Sequence, residues 1–436
     1  PGATLYRGVY PPSATISASK RDSRLSRGAN SEFRPHIPER SPGSAFNVVA
    51  RRRRRRPALR EVSPAGVNPR APLSPTMTDS SVPAEYRAVA DLQLTVESVD
   101  YEQFEQDTSS DFTRVTTVFE LRGDGATGRG EDVTYDTVDH ERLAEALDEG
   151  SFPLPTGSFT FDEFSTALDD RDLFPREGPE SEDGLDYRRW GVESAALDLA
   201  LRQNDTTLPE LLDREHHPVR FVASTRLGDP PSVDRVDEVR SRNPGIGFKL
   251  DPTPDWNEDL IDDLRARDAV RVVDLKGHYE GTVVDAEASP EFYRRIVEGF
   301  PDAVVEDPLL TEETRPVFED EEGRVSWDSP IHSLDDVLAL PWEPSWLNVK
   351  PSRFATVESL FRTLRWALDK GVTLYGGGQF ELSVGRGQAQ ELASLFYPDG
   401  PNDLAPSVYN EASLPPELPR RPIAVPARGD HVGFGF

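Results

Sequence analysis

The chain has 436 residues, of which 36% are hydrophobic, with no cysteine and a formal net charge of −29 at pH 7. Its length exceeds the usual limit for one hydrophobic core, which favours two domains. The lack of cysteine excludes disulfides, thiolate nucleophiles and cysteine-based zinc sites. No apolar run approaches the roughly 20 residues that cross a bilayer, so we expect no membrane partner. The chain has only seven histidines against 78 Asp and Glu. Carboxylates are therefore the better candidate metal ligands, and they favour a hard ion such as Mg²⁺.

The charge divides the sequence at Met77, the only methionine. Residues 1–76 carry 15 Lys and Arg against 4 Asp and Glu. They include six consecutive arginines at 51–56, many prolines and serines, and no periodic apolar pattern, so we predict a disordered basic extension over 1–84. The arginine run has an alternative interpretation as a nucleic-acid or localisation patch. Our hypothesis is that translation starts at Met77, and mass-spectrometric peptides from before Met77 would contradict it.

The remaining 360 residues are strongly acidic, with 34 Lys and Arg against 74 Asp and Glu. This excess would repel phosphate, so it argues against a nucleic-acid partner. Only four lysines follow Met77. The composition is typical of the salt-adapted surface of a halophilic protein, and we expect a cytoplasmic location.

The first part of this acidic region has the pattern of an α+β domain. Alternating apolar and polar residues predict antiparallel strands at 90–99 and 112–121. A glycine-rich segment at 123–130 indicates a turn, and helices are predicted at 140–147 and 187–203. We assign an α+β capping domain to residues 85–215.

From residue 216 onward, short apolar strands alternate with helical segments, which indicates parallel strands joined by helical crossovers. Eight such units predict a (β/α)8-type barrel over 216–415, followed by a C-terminal tail at 416–436. A doubly wound sheet is the alternative, but no G-x-G-x-x-G turn follows a first strand. The predicted strands are 219–224, 247–250, 269–274, 303–306, 324–328, 346–350, 373–375 and a short one near Ala405.

Charged residues end five successive strands of this barrel. Catalytic residues of such barrels come from the carboxyl ends of the strands. Three adjacent carboxylates there would converge and require a cation, for which Mg²⁺ is the expected partner. Flanking lysines could remove and return a proton. In chain order these residues are Lys249, Asp274, Glu306, Asp328 and Lys350.

The order of these residues resembles the mandelate racemase and muconate-lactonising branches of the enolase superfamily. The resemblance covers nearly all of residues 85–415 and rests on several motifs in register. It implies that Asp274, Glu306 and Asp328 ligate Mg²⁺, that Lys350 is an acid–base residue, and that the capping domain closes over the substrate. The motifs are Glu-Asp-Pro-Leu at 306–309, Ser-Trp-Asp-Ser-Pro-Ile-His at 326–332 and Asn-Val-Lys-Pro-Ser-Arg at 348–353.

Two positions depart from the family pattern. The second strand reads Lys249-Leu-Asp251 where the family has Lys-x-Lys, so an aspartate stands where the base would be. The third strand reads Asp274-Leu-Lys276 in place of Asp-x-Asn, and residues two apart on a strand face the same side. Lys276 could therefore weaken metal binding, replace the metal or serve as the base.

These features predict a Mg²⁺-dependent enzyme that removes the proton α to the carboxylate of a small organic acid. The candidate catalytic residues are Lys249, Lys276 and Lys350, and the reaction would be that of an epimerase or racemase, a cycloisomerase or a dehydratase. The alternative is a metal-free or non-catalytic relative that binds a small acid. His332 and Glu381 are weaker candidates, and the cap segment 101–116 is expected to select the substrate. Both a monomer and a homo-oligomer remain open.

Overall fold

A computed structural model describes residues 82–108, 112–278, 288–411, 413–425 and 432–436. These residues all belong to one compact unit, Pro75–Phe436. The predicted start at Met77 and nearly all of the predicted basic extension lie outside the described residues. None of the described helices is long and apolar enough to span a membrane.

The capping domain is built on an antiparallel sheet with helices packed against it. Strands β2 (Ser98–Asp107), β3 (Thr113–Gly123) and β4 (Ala126–Asp132) form a meander, and β1 (Gln93–Val96) pairs with β5 (Gly157–Thr160). The fold is therefore α+β in this region, as predicted. The helices are α1 (Ala84–Ala90), α2 (Thr137–Asp148), α3 (Phe161–Asp169), α4 (Gly184–Gln203) and α5 (Leu208–Leu212).

Local predictions in the cap were wrong in two places. The strand predicted at 90–99 is divided between β1 and β2. The segment 101–116, which is expected to contain loops that select the substrate, includes parts of β2 and β3, and residues 109–111 lie outside the described residues. The predicted glycine-rich turn at 123–130 is mostly strand β4. Its glycines permit close helix packing, because a Cβ on Gly128 would lie 2.3 Å from the carbonyl oxygen of Ala195 in α4.

The second domain is a curled parallel sheet with strands in sequential order, as the alternating pattern predicted. Its helices begin after side chains that accept an N–H from the first turn, such as Asn257, Ser289 and Thr356. The strands are β6 (Val222–Thr225), β7 (Gly247–Leu250), β8 (Val270–Asp274), β9 (Val304–Glu306), β10 (Val325–Trp327), β11 (Trp346–Val349) and β12 (Thr373–Gly376). The helices are α6 (Asp234–Arg242), α7 (Glu258–Ala266), α8 (Pro290–Gly299), α9 (Leu334–Leu338), α10 (Val357–Lys370) and α11 (Val384–Phe396).

A two-residue segment joins the two edges of this sheet. Asn402 bridges Phe221 beside β6, and Asp403 bridges Gly377 beside β12, both in parallel orientation. The Val222 N–H donates to the Asn402 carbonyl at 2.8 Å, and the Asp403 N–H donates to the Gly376 carbonyl at 2.7 Å. The eighth strand predicted near Ala405 therefore exists only as this short connection. It brings the first and last strands together around a common mouth.

The cap and the barrel share one continuous hydrophobic core, which includes residues of α4 and of the barrel strands. The charged side chains of the predicted site lie at the carboxyl ends of the barrel strands. Asp274 and Glu306 are the last residues of β8 and β9. Asp328 and Lys350 each follow the last residue of a strand, and Lys249 is the residue before the end of β7.

Candidate active site

Three buried carboxylates meet at the mouth of the barrel. Asp274, Glu306 and Asp328 each have no solvent-exposed surface. One carboxylate oxygen from each residue lies within 4.8 Å of the others. This is the set that the sequence predicted as metal ligands. The parallel register explains the meeting, because Asp274 pairs directly with Glu306 across β8 and β9.

Lys249 lies between two of these acids. Its Nζ is 3.0 Å from Asp274 Oδ2, and it also donates to Glu306 Oε1. Its side chain is only 2% exposed. Burial alone would lower the pKa of Lys249, but Asp274 and Glu306 raise it well above its ordinary value. Lys249 therefore remains a fixed positive charge within the cluster.

Lys276 contacts the same oxygen of Asp274 as Lys249 does. Its Nζ lies 2.5 Å from Asp274 Oδ2 and 3.8 Å from Asp251 Oδ1. Burial would raise the pKa of Asp274, but Lys249 and Lys276 together hold it below its ordinary value. The Lys276 side chain is 16% exposed, more than either of the other two predicted lysines. It is therefore the candidate lysine most accessible from outside the cluster.

Asp328 has two cationic partners of its own. Lys350 Nζ lies 2.8 Å from its Oδ2, and Arg353 donates to its Oδ1 at 2.8 Å. Burial would raise the pKa of Asp328, but Arg353, Lys350 and Lys249 lower it below the ordinary range. Arg353 was not among the predicted site residues, although it ends the motif that identified Lys350.

Further polar residues that sequence reasoning missed complete the site. Tyr375 of β12 donates to Glu306 Oε2, and Asn348 of β11 donates to Glu306 Oε1 at 3.2 Å. Asp403, on the closing segment, lies 3.9 Å from Lys249. Burial raises the pKa of Glu306 well above its ordinary value. Lys249 opposes this rise, whereas Asp274 and the other nearby acids add to it. Acids with raised and lowered pKa values thus share one site, as in many acid–base centres.

Asp307 supports the loop that carries Asp328. Its two carboxylate oxygens accept the N–H groups of Asp328 and Ser329, each at 2.7 Å. Burial and the charges of Asp328 and Asp274 raise the pKa of Asp307 to about 7. The folded state thus keeps a proton that the unfolded state releases near its ordinary pKa, so stability should fall as pH rises from about 4 to about 7.

Asp307→Asn should remove this part of the pH dependence. The wild-type free energy of unfolding should drop by about 4 kcal/mol between pH 4 and pH 8 from this group alone, and the variant should lose that share. Denaturant unfolding in molar KCl with a chelator would measure it, with the exposed Asp262→Asn as control. Equal pH dependence in Asp307→Asn and wild type would contradict the assignment.

The weaker candidates, His332 and Glu381, form their hydrogen bonds and ion pairs with other residues than the triad. His332 Nδ1 is 2.7 Å from Asp186 Oδ2 of the capping domain, and the backbone N–H of His332 donates to Asp336 Oδ2. Glu381 accepts the Gln379 N–H at 2.7 Å and pairs with Arg386 at 3.1 Å. Both therefore have local structural partners.

The donor set fits a hard divalent ion. Three carboxylates on adjacent strands offer the oxygen ligands that Mg²⁺ prefers. The Asn348 Oδ1 atom is buried without a hydrogen-bond partner, so the site contains a further uncommitted oxygen. Lys249 and Lys276 already contact Asp274, so an ion must compete with their charges for this ligand. The residues present thus fit such an ion.

Comparisons with known proteins agree with this fold. The N-terminal and C-terminal domain models of DUF8230, each described as a domain of unknown function, match residues 87–211 and 215–411. The chain carries both DUF8230 domains and has the fold of the enolase superfamily. The similarity to solved structures shows this fold. One of them is an unknown member of the enolase superfamily from Enterococcus faecalis V583, with a TM-score of 0.53 and 18% sequence identity. The match covers 71% of this chain and 86% of that protein.

Two enzymes of known activity share this enolase-superfamily fold. Muconate lactonizing enzyme from Pseudomonas putida has a TM-score of 0.52 at 20% identity, covering 71% of this chain and 88% of the other. Dipeptide epimerase from Methylococcus capsulatus, solved with a Mg ion, has a TM-score of 0.52 at 16% identity, covering 75% and 90%. No protein with a curated description matches the sequence.

Proposed function

We propose that this chain is an enolase-type enzyme that binds Mg²⁺ and removes the proton α to the carboxylate of a small organic acid. The observation that carries this proposal is the buried triad of Asp274, Glu306 and Asp328 on adjacent strand ends, with lysines on both sides of it. The ion would supply positive charge that acidifies the α-proton and stabilises the resulting anion. Muconate lactonizing enzyme and dipeptide epimerase share the fold, which supports this class of chemistry.

The three lysines have different roles in this proposal. Lys249 is enclosed by Asp274 and Glu306, so it stabilises their negative charge and does not move a proton. Lys350 contacts Asp328 Oδ2 and Lys276 contacts Asp274 Oδ2, which belong to the last and first members of the triad in strand order. From these two positions, one lysine can remove the α-proton and the other can return it. The reaction would be that of a racemase or epimerase, a cycloisomerase or a dehydratase, depending on the fate of the anion.

Mg²⁺ titration by calorimetry in molar KCl tests the ion site first. We expect saturable binding to the intact chain and at least about a hundredfold weaker binding to Asp274→Asn, because one of three anionic ligands is lost. Glu306→Gln provides a second ligand variant, and circular dichroism would confirm that both variants are folded. Saturable binding that is unchanged in both variants would contradict the assigned ligands.

Proton exchange then tests the reaction. A library of small carboxylic acids in D₂O, followed by NMR, should reveal deuterium at the α-carbon of at least one member, and Lys350→Met should abolish that exchange. A broad library without exchange in any acid would contradict the catalytic proposal.

One observation favours a second candidate, a metal-free site that binds a small acid. The ammonium groups of Lys249 and Lys276 both contact Asp274 Oδ2, where they supply positive charge that an ion would otherwise provide. Under this alternative the calorimeter shows no Mg²⁺ binding, while a carboxylic acid still binds to the chain.

A further inference from the structure

Residues 432–436 lie in a groove between the capping domain and the barrel. The Phe434 N–H donates to Asp198 Oδ1 at 2.7 Å, and the Gly435 N–H donates to Glu391 Oε2 at 2.6 Å. Asp198 belongs to α4 of the cap, and Glu391 belongs to α11 of the barrel. Two successive amides of this segment therefore bind carboxylates from different domains.

The sequence Gly-Phe-Gly-Phe at 433–436 suits this groove. Gly433 and Gly435 have φ values of 107° and 106°, which L side chains rarely adopt. A Cβ on Gly433 would lie 2.2 Å from Asp198 Oδ1, and one on Gly435 would lie 3.0 Å from the Gln388 nitrogen. Phe434 between them is only 5% exposed and joins the hydrophobic core. The groove therefore selects glycines around one buried aromatic residue.

The two acids of the groove each accept one N–H from this segment, and Asp198 also accepts from the Arg129 N–H and the Arg202 side chain. Asp198 is 2% exposed and Glu391 is fully buried. Glu391 also contacts His216 Nε2 at 3.0 Å, and the His216 ring packs edge-on against Phe436 with 5.2 Å between ring centroids. Removing an N–H donor from a buried carboxylate is costly. The empty groove should therefore bind any peptide that restores these contacts.

Helix α11 connects this groove to the active site. Glu131 of the cap accepts the N–H groups of Leu382 at 2.7 Å and Gly385 at 2.8 Å, at the start of α11. The loop that leads into α11 contains Gly377, where a Cβ would lie 2.7 Å from Lys350 Cε. The loop before α11 therefore packs closely against Lys350.

We propose that the groove between α4 and α11 is a peptide-binding site for a Gly-Phe-Gly-Phe segment. Residues 433–436 are its resident and exchangeable occupant, and this occupant holds α11 against the capping domain. The same groove accepts an identical segment from outside the chain, such as that of a second copy. This inference does not depend on the proposed catalytic activity.

The test deletes residues 432–436 from the full chain and adds a synthetic peptide with their sequence. We expect one-to-one binding by calorimetry, at least tenfold weaker binding of a peptide carrying Gly435→Ala, and none of a scrambled peptide. Hydrogen exchange at Leu382 and Gly385 should accelerate on deletion and slow again when the peptide binds. A folded deletion chain that ignores the peptide, or that binds the scrambled one equally well, would overturn the proposal. Unchanged exchange at both amides would also overturn it.

Hydrogen exchange on the intact chain decides the question if the deletion prevents folding. The chain's own Phe434 and Gly435 amides should be protected, and saturating peptide should accelerate their exchange at least tenfold by displacing them. The scrambled peptide is the control. Unprotected amides, or protection that the peptide leaves unchanged, would each overturn the proposal.

Discussion

Replacing Lys249 with methionine should destabilise the folded chain by about 3–5 kcal/mol, the usual cost of breaking a buried ion pair by removing one partner. Glu306 would lose its ammonium partner, and Asp274 would keep only Lys276 beside its carboxylate. Methionine fills a similar volume, so the loss would report charge rather than packing. Chemical denaturation in molar KCl at pH 7 with a chelator present would measure the free energy of unfolding.

Lys370→Met is the matched control for this experiment. Lys370 pairs with Glu343 at 2.8 Å, but the two side chains are 46% and 62% exposed. Exposed pairs contribute roughly 0–1 kcal/mol, so the control should stay close to wild type. If Lys249→Met lost no more stability than Lys370→Met, Lys249 would not be the charge that holds Asp274 and Glu306 together. Addition of Mg²⁺ to Lys249→Met should recover part of the stability, because the ion binds only the folded site.

The sequence predicted the triad because parallel strands align their carboxyl ends by geometry. Once β8, β9 and β10 are recognised as neighbours, Asp274, Glu306 and Asp328 must converge. Lysine usage gives a second signal. Of the four lysines after Met77, Lys249, Lys276 and Lys350 lie in this site. A surface that otherwise relies on arginine makes each lysine a candidate for a specific role.

Residues outside regular strands escaped prediction. Asp403 reaches Lys249 because a two-residue segment closes the barrel, and two residues have no detectable period. Arg353 lies in a short helical turn after β11, where spacing alone does not reveal that it points at Asp328. Tyr375 reads as an ordinary buried strand residue until its hydroxyl is placed beside Glu306. These positions depend on tertiary structure rather than on local pattern.

The capping domain shows how tertiary packing overrides a local signal. Glycine normally favours turns, so the segment 123–130 was predicted as one. A Cβ on Gly130 would lie 2.2 Å from the Gly191 carbonyl oxygen in α4. Glycine stands in β4 because a helix crosses close above the strand, and only the partner helix reveals that reason.

Lys276→Met should tighten Mg²⁺ binding by about a hundredfold, because a fixed positive charge beside a metal ligand opposes the ion. The Lys276 ammonium lies 2.5 Å from Asp274 Oδ2. At an effective dielectric constant of about 20, an ammonium about 4 Å from a divalent ion is repelled by roughly 8 kcal/mol. The side chain can move toward Asp251, 3.8 Å away, which relieves much of this repulsion. Calorimetric titration of both proteins in molar KCl would measure the difference.

Lys276→Arg keeps the positive charge, so this variant should bind Mg²⁺ as weakly as wild type. The comparison distinguishes the effect of the charge from the effect of the side-chain shape. Unchanged affinity in Lys276→Met would mean that the ammonium does not oppose an ion at Asp274.

Proton exchange in the same variant tests whether Lys276 also has a catalytic role. Tighter binding with lost exchange at the substrate α-carbon would identify Lys276 as a proton-transferring residue, whereas retained exchange would leave that role to Lys350. The pair of measurements therefore distinguishes a lysine that only moderates ion affinity from one that also takes part in the reaction.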